Sequence, residues 1–180
     1  VNVQIPLTIP AMKRSPNVND IVISEFFLNA NKSDSTQFNF VEFYNGSTDT
    51  LVLDKCTFGK TSDTDGSAEF GAIELPPNEA LVVGEAETAD IEGVYKYTES
   101  LPAFVKSSSS IVLQCDGAIL DSLYYGKADS LITSPIPVHT ATSGVRKSTQ
   151  LNIELWDKRD EPNSWCTDAP TPGVIYACRN

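Results

Sequence analysis

The chain has 180 residues, of which 41% are hydrophobic and 21% charged, so it can form one globular domain with a sizeable core or, as a less favoured alternative, two small domains. Its 13 basic and 24 acidic side chains give a net charge of −11, which argues against binding to a nucleic-acid backbone or an anionic membrane. No apolar run is long enough to span a bilayer, and since residue 1 is Val and not Met, we expect that a leader has been removed.

The first ten residues alternate strictly between apolar and other side chains. The odd positions are Val1, Val3, Ile5, Leu7 and Ile9, while Pro6 and Pro10 lie on the other parity. This period of two predicts a strand with one face that requires burial, and prolines that cannot donate ladder hydrogen bonds suit an edge strand. Residues 11–20 are rich in Asn, Ser and Pro and are predicted to be a flexible connector. We therefore divide the chain into an extension, residues 1–19, and a folded domain, residues 20–180.

Strand signals dominate the rest of the chain. Short runs of β-branched and aromatic residues alternate with turn residues at 21–28, 38–44, 50–53, 56–58, 80–84, 110–115 and 119–125. Asn45-Gly46 and Asp116-Gly117 predict tight turns. No segment has sustained helical periodicity, and residues 85–92 could form one helical turn at most. Strands at short intervals with turns between them predict an all-β sandwich.

The four cysteines bear on the cellular compartment. They are Cys56, Cys115, Cys166 and Cys178. None forms a CxxC pair and His139 is the only histidine, so the sequence does not favour a zinc site. We pair Cys166 with Cys178 across a loop that contains Pro and Gly, which leaves Cys56 to pair with Cys115. The other two pairings and four free thiols in a reducing compartment are the alternatives. Disulfides would place the protein outside the cytoplasm.

Four segments carry a family resemblance in a fixed order. They are IVISE at residues 21–25, FVEFYN at 40–45, the hairpin IVLQCDGAILDSLYYG at 111–126, and WC at 165–166 followed by PTPG at 170–173. They resemble, in turn, the opening I-x-I-x-E strand, the W-I-E-L-Y-N strand, the D-G hairpin and the closing W…T-P-G segment of the lamin tail domain.

This resemblance covers residues 20 to 177 approximately and leaves residues 1–19 and an insertion at 128–142 outside it. It implies an immunoglobulin-like β-sandwich, as found in nuclear lamins and in many bacterial secreted proteins. The cysteines around T-P-G resemble those of the secreted members. Because the family has no common catalytic residues, the resemblance implies no enzymatic activity and transfers no catalytic residue.

Several residues were weighed as sites of binding or catalysis. Asp63, Asp65 and Glu69 form the best Ca²⁺ candidate, although an Asp-rich solvent turn explains them equally simply. Glu25 and Glu42 could act as paired carboxylates, but we expect a structural, hydrogen-bonded role. His139 lies in a proline-rich loop without a nucleophile motif, so a catalytic triad is not expected.

Aromatic side chains offer a second kind of ligand site. Trp156, Trp165 and the Tyr95/Tyr97 and Tyr124/Tyr125 pairs could stack on sugars, although core packing explains Trp165 and Tyr124 better. A calcium- or carbohydrate-binding accessory module is therefore the alternative function. No other cofactor is expected.

The alternating extension leads to the main functional prediction. An apolar-faced strand on a flexible connector can add to a sheet of a neighbouring copy, and a head-to-tail contact of that kind builds a filament. We therefore predict a non-enzymatic extracellular or cell-surface module that self-associates into an oligomer or filament through residues 1–10. The alternative is that this strand pairs with its own sandwich.

Overall fold

The computed structural model describes residues 12–31, 33–34, 37–60, 67–85, 94–96, 101–128, 130–139 and 144–175, with only the backbone described for 94–96. These residues form thirteen strands. The strands are β1 Lys13–Arg14, β2 Ile21–Phe27, β3 Phe40–Asn45, β4 Thr50–Val52, β5 Cys56–Gly59, β6 Ala68–Glu69, β7 Glu74–Leu75, β8 Ala80–Gly84, β9 Val94–Lys96, β10 Ser109–Cys115, β11 Ala118–Tyr125, β12 Ser148–Leu151 and β13 Trp165–Asp168. Two short 3₁₀ helices, Ile153–Lys158 and Pro162–Ser164, precede β13. None of the described helices is long and apolar enough to cross a membrane.

The strands form three sheets, of which the two larger pack face to face. The six-stranded sheet has the order β13-β12-β2-β3-β8-β9, and the four-stranded sheet has the order β11-β10-β5-β6. A small third sheet has the order β1-β4-β7. Neighbouring strands are antiparallel apart from the pairs β8–β9 and β1–β4. The all-β sandwich is thus confirmed, and its sheets are consistent with an immunoglobulin-like architecture.

Aromatic side chains from both larger sheets fill the space between them. The Phe43 ring on β3 lies 5.2 Å from that of Phe58 on β5 and 5.0 Å from that of Phe70. Phe26 on β2 lies 4.9 Å from Tyr125 on β11. Burial of each such ring contributes about 2–3 kcal/mol, so these contacts hold the two sheets together.

The six-stranded sheet is buried on its other face as well, which we call the outer face. The apolar cluster on this face comprises Phe27, Ala30, Phe38, Phe40 and Val82. Val82 on β8 stands directly opposite Glu42 on β3. Because residues that stand opposite each other on paired strands share a face, Glu42 belongs to the outer face.

A β-bulge in β2 decides which face its next residues occupy. Ile23 is paired with Phe43, whereas Glu25 is paired with Glu42, so Ser24 is an extra residue without a partner in β3. In a regular strand Ile23 and Glu25 would share a face, because side chains alternate with a period of two. The bulge instead leaves Ile23 in the core between the sheets and places Glu25 beside Glu42 on the outer face.

The predicted connector contains a strand that the sequence pattern did not indicate. Lys13 and Arg14 form β1, which pairs in parallel with Thr50 and Leu51 of β4. The Arg14 guanidinium is fixed by two carboxylates: Nε donates to Asp49 at 2.6 Å, and Nη1 donates to Asp20 at 2.5 Å. The folded structure therefore begins at least as early as residue 12, before the boundary that composition indicated.

Candidate functional site

Two buried glutamates mark the most unusual chemistry of the outer face. Glu25 and Glu42 lie directly opposite each other on β2 and β3, and they are only 2% and 1% exposed. Burial of one carboxylate, and still more of two, costs several kcal/mol unless hydrogen bonds or protons compensate. The groups that donate hydrogen bonds to the two glutamates therefore determine the role of the pair.

Both glutamates bind the segment that follows β13, residues 169–175, which we call the strap. Glu25 accepts hydrogen bonds from the Thr171 backbone N–H and the Thr171 hydroxyl, both at 3.0 Å. Glu42 accepts from the Gly173 backbone N–H at 2.7 Å and from the Ser24 hydroxyl at 2.7 Å. All four carboxyl oxygens are thus engaged by donors, and the T-P-G sequence is the part of the strap that the pair recognises.

Gln150 on β12 completes the contacts between the sheet and the strap. Its side-chain nitrogen lies 3.3 Å from Glu25 Oε1, 2.7 Å from the Ala169 carbonyl and 3.1 Å from the Thr171 hydroxyl. The space left between the pair and the strap is about 10 Å³, which is room for one water molecule at most.

Burial changes the protonation of both carboxyl groups. It raises the pKa of Glu25, and the hydrogen bonds from Ser148, Thr171 and Gln150 oppose that rise. It also raises the pKa of Glu42, to about 7; the hydrogen bonds from Ser24 and Gly173 lower this value and the charge of Glu25 raises it further. The two carboxyl groups stand opposite each other on paired strands, so the charge of Glu25 opposes ionisation of Glu42.

This geometry favours the hydrogen-bonded, structural role that we expected for Glu25 and Glu42. Acid–base catalysis requires a carboxyl group within reach of a substrate, and here the strap and a water-sized space separate the pair from solvent. A metal ion would need free carboxylate oxygens, whereas these accept from fixed donors. In the part of the chain that the structure describes, no three His, Cys, Asp or Glu side chains are grouped for a metal ion.

Asp121 on β11 is a further buried carboxylate, which we did not single out from the sequence. It is 6% exposed and accepts from the backbone N–H of Ile23 at 2.8 Å and from Arg159 Nε at 2.6 Å. Arg159 Nη2 donates a further hydrogen bond to the Asn19 side-chain oxygen at 3.1 Å. Burial raises the pKa of Asp121, and the hydrogen bond and charge of Arg159 oppose that rise. Asp121 thus joins β11 of one sheet to β2 of the other.

A polar cleft of about 330 Å³ lies beside this ion pair. It is lined by Ile119, Leu120, Asp121, Ser122, Asp157, Arg159 and Asp160. Since Asp121 and Arg159 are already bound to each other and to the backbone, the cleft offers no free catalytic group from this pair. The one sequence signal for Asp121 was a charged residue within an otherwise apolar strand.

The disulfide prediction is confirmed for one pair. Cys56 on β5 is bonded to Cys115 on β10, and the two residues face each other in the antiparallel ladder with their Cα atoms 4.0 Å apart. Cys166 is disulfide-bonded too, while its predicted partner, Cys178, lies outside the described residues.

The remaining predicted sites are only partly described. The apolar positions of the extension and two calcium candidates, Asp63 and Asp65, lie outside the described residues. Glu69 is an exposed residue of β6. The calcium site therefore stays a prediction.

The structure describes the burial of His139 and of four of the candidate sugar-binding aromatic residues. Trp165 and Tyr125 are buried in the core, and Tyr124 is half-buried. Trp156 is half-buried and packs against the core. His139 is half-buried as well, and its buried Nδ1 has no hydrogen-bond partner among the described groups. None of these side chains forms a free aromatic platform with another described aromatic residue of the set.

Comparisons with family models, with curated proteins and with solved structures found no match to this chain. The fold class is therefore established by the sheets themselves. The resemblance to the lamin tail domain stays a prediction.

Proposed function

We propose that this chain is a non-enzymatic extracellular structural module that self-associates by β-strand addition of residues 1–10. The observation that carries the proposal is the alternating pattern of the segment that precedes β1. An uncharged segment of strictly alternating pattern, residues 1–9, is joined through β1 to the edge of a sheet. The apolar side chains at the odd positions of this segment require a protein surface that buries them.

The partner strand of β1 offers no pairing position to residues 1–10. Lys13 pairs with Thr50, the first residue of β4, and the Met12 carbonyl accepts from the Thr50 N–H at 2.8 Å. Residues 47–49 before it form a bend. Since the pairing is parallel and Thr50 is the first residue of β4, this strand provides no ladder position before Lys13. Addition of residues 1–10 to a sheet of another copy supplies a hydrogen-bonding ladder for them.

The prolines of the extension agree with addition at a sheet edge. In an extended strand, successive residues direct their backbone groups to opposite sides, so Pro6 and Pro10 remove donors from one side only. The odd-numbered residues of this segment include no proline, so all of their N–H groups can donate to one neighbouring strand. The Arg14 contacts with Asp20 and Asp49 anchor the chain just after residues 1–10, the segment proposed to reach that neighbour.

The proposed location outside the cytoplasm rests on chemistry of a different kind. The Cys56–Cys115 bond joins two strands of the core, and Cys166 carries a second bond. Structural disulfides form and persist mainly in oxidising compartments. A surface or filament subunit is exposed to such conditions throughout its lifetime.

A parity experiment tests the assembly. We expect V3D/I5D/L7D to abolish self-association, because charge on the apolar face opposes its burial in a neighbouring sheet. N2D/Q4D/T8D adds the same charge on the opposite parity and should assemble like the wild type. Sedimentation velocity over a concentration series and negative-stain microscopy provide the readout. A monomeric wild type, or equal assembly of both triple variants, would overturn the proposal.

A further inference from the structure

The strap is held on the sheet by hydrogen bonds to buried side chains. Apart from the Ala169 N–H, which donates to the neighbouring Asp168, its hydrogen bonds to other parts of the described chain go to Glu25, Glu42 and Gln150. No residue from 169 to 175 is buried, and Val174 is 49% exposed. Pro170, Thr171, Pro172 and Ile175 are half-buried, so apolar contacts contribute to docking beside the hydrogen bonds to the two carboxyl groups.

No described cation neutralises the pair. The only charged side chains that line the small space are Glu25 from β2 and Glu42 from β3. Facing them, β12 supplies Gln150 and Ser148, β8 supplies Val82 opposite Glu42, and residues 169–175 include no charged side chain. Two buried negative charges on paired strands repel each other at reduced dielectric, and a proton on one of the two carboxyl groups relieves that repulsion.

The donors indicate which carboxyl group carries that proton. Glu25 receives a backbone N–H, the Thr171 hydroxyl and the Gln150 amide, an arrangement that stabilises an ionised carboxylate. Glu42 receives the Gly173 N–H on one oxygen and the Ser24 hydroxyl on the other. The Ser24 hydroxyl can rotate and accept, so a proton on Glu42 Oε1 finds a partner without disturbing the bond to Gly173.

We propose that the strap is a proton-controlled latch, closed on the outer face while the Glu25–Glu42 pair holds one proton and released when both carboxylates are ionised. Release would expose the outer face around Glu42 and detach residues 169–175 from it. This inference concerns the opposite end of the chain from the extension and is independent of the proposed self-association.

The direction of the pH response follows from the raised pKa of Glu42. With the strap closed this pKa is about 7, against an ordinary value of 4.5 once the group meets water. Between these values the closed form binds more protons than the open form, so closure is favoured at low pH and is lost as the pH rises through 7. The opening equilibrium should rise by up to roughly 70-fold from pH 5 to pH 8.

Hydrogen exchange at the strap tests the latch. We expect the protection factors of the Thr171 and Gly173 amides, corrected for intrinsic exchange, to fall by up to roughly 70-fold from pH 5 to pH 8. Amides of β10 in the core should show no comparable change. E42Q should remove the pH dependence, because its amide donates to Ser24 and its oxygen accepts from Gly173 as the protonated acid does.

The same change at an exposed glutamate provides the control, and E154Q should keep the wild-type response. Two results would overturn the latch. One is constant protection of Thr171 and Gly173 in the wild type over this pH range. The other is an unaltered pH dependence in folded E42Q. If E42Q does not fold, the wild-type titration alone decides.

Discussion

Replacing Asp121 by Ala should destabilise the protein by about 3–5 kcal/mol, which is the cost of removing one partner from a buried ion pair. The substitution leaves the Arg159 guanidinium without its 2.6 Å partner, although that side chain is only 18% exposed. It also leaves the Ile23 N–H unsatisfied at the bulge of β2. A buried donor without an acceptor costs about 1–3 kcal/mol, so both losses act in the same direction.

Equilibrium urea unfolding, followed by circular dichroism, measures this effect. K55A is the matched control, because the Lys55–Asp116 ion pair is 3.4 Å long and both of its side chains are more than half exposed. Its loss should change the unfolding free energy by less than about 1 kcal/mol. The double variant D121A/R159A should be more stable than the sum of the two single effects predicts. A D121A protein as stable as K55A would show that the buried pair does not join the sheets.

Removal of the Cys56–Cys115 bond by C56A/C115A should cost about 4 kcal/mol, the chain-entropy value for a closed loop of this size. The bond spans 59 residues of sequence. It constrains the unfolded chain far more than the folded one, where the two residues already face each other in the β5–β10 ladder. For a chain of 180 residues this corresponds to a fall in Tm of about 8–16 °C.

Differential scanning calorimetry with and without a reductant separates this bond from the one at Cys166. Reduction of the wild type removes both bonds, whereas reduction of C56A/C115A affects only the bond at Cys166. The oxidised wild type should therefore lose more stability on reduction than the double variant does. If the oxidised double variant and the oxidised wild type unfold at the same temperature, the bond contributes no stability.

The strands were largely predictable because their signal is local. The run 80–84 coincides with β8, and the run 119–125 lies within β11. Turn chemistry was equally legible: Asp116 and Gly117 both have positive φ, as the tight β10–β11 turn requires. By contrast, β1 has only two residues and is stabilised by its pairing with β4, so no periodicity could reveal it.

The candidate site was predictable only in part. Glu25 and Glu42 drew attention as charged residues within apolar strands, and a hydrogen-bonded role was expected. Their contacts with Thr171 and Gly173 span 146 and 131 residues of sequence, so no local pattern could indicate them. Asp121 was missed for the same reason, since its partners Ile23 and Arg159 are distant along the chain.

The sequence by itself determined the all-β class, most of the strands and the net negative charge, and it favoured the Cys56–Cys115 pairing over the alternatives. These follow from side-chain periodicity, turn residues, charge and cysteine spacing, all of which are properties of short segments or simple counts. Only the tertiary structure decided the face on which Glu25 lies. One extra residue at Ser24 reverses the alternation of β2, because the register against β3 shifts there. That shift places Glu25 beside Glu42 beneath residues 169–175, a juxtaposition that exists only once the strands are paired.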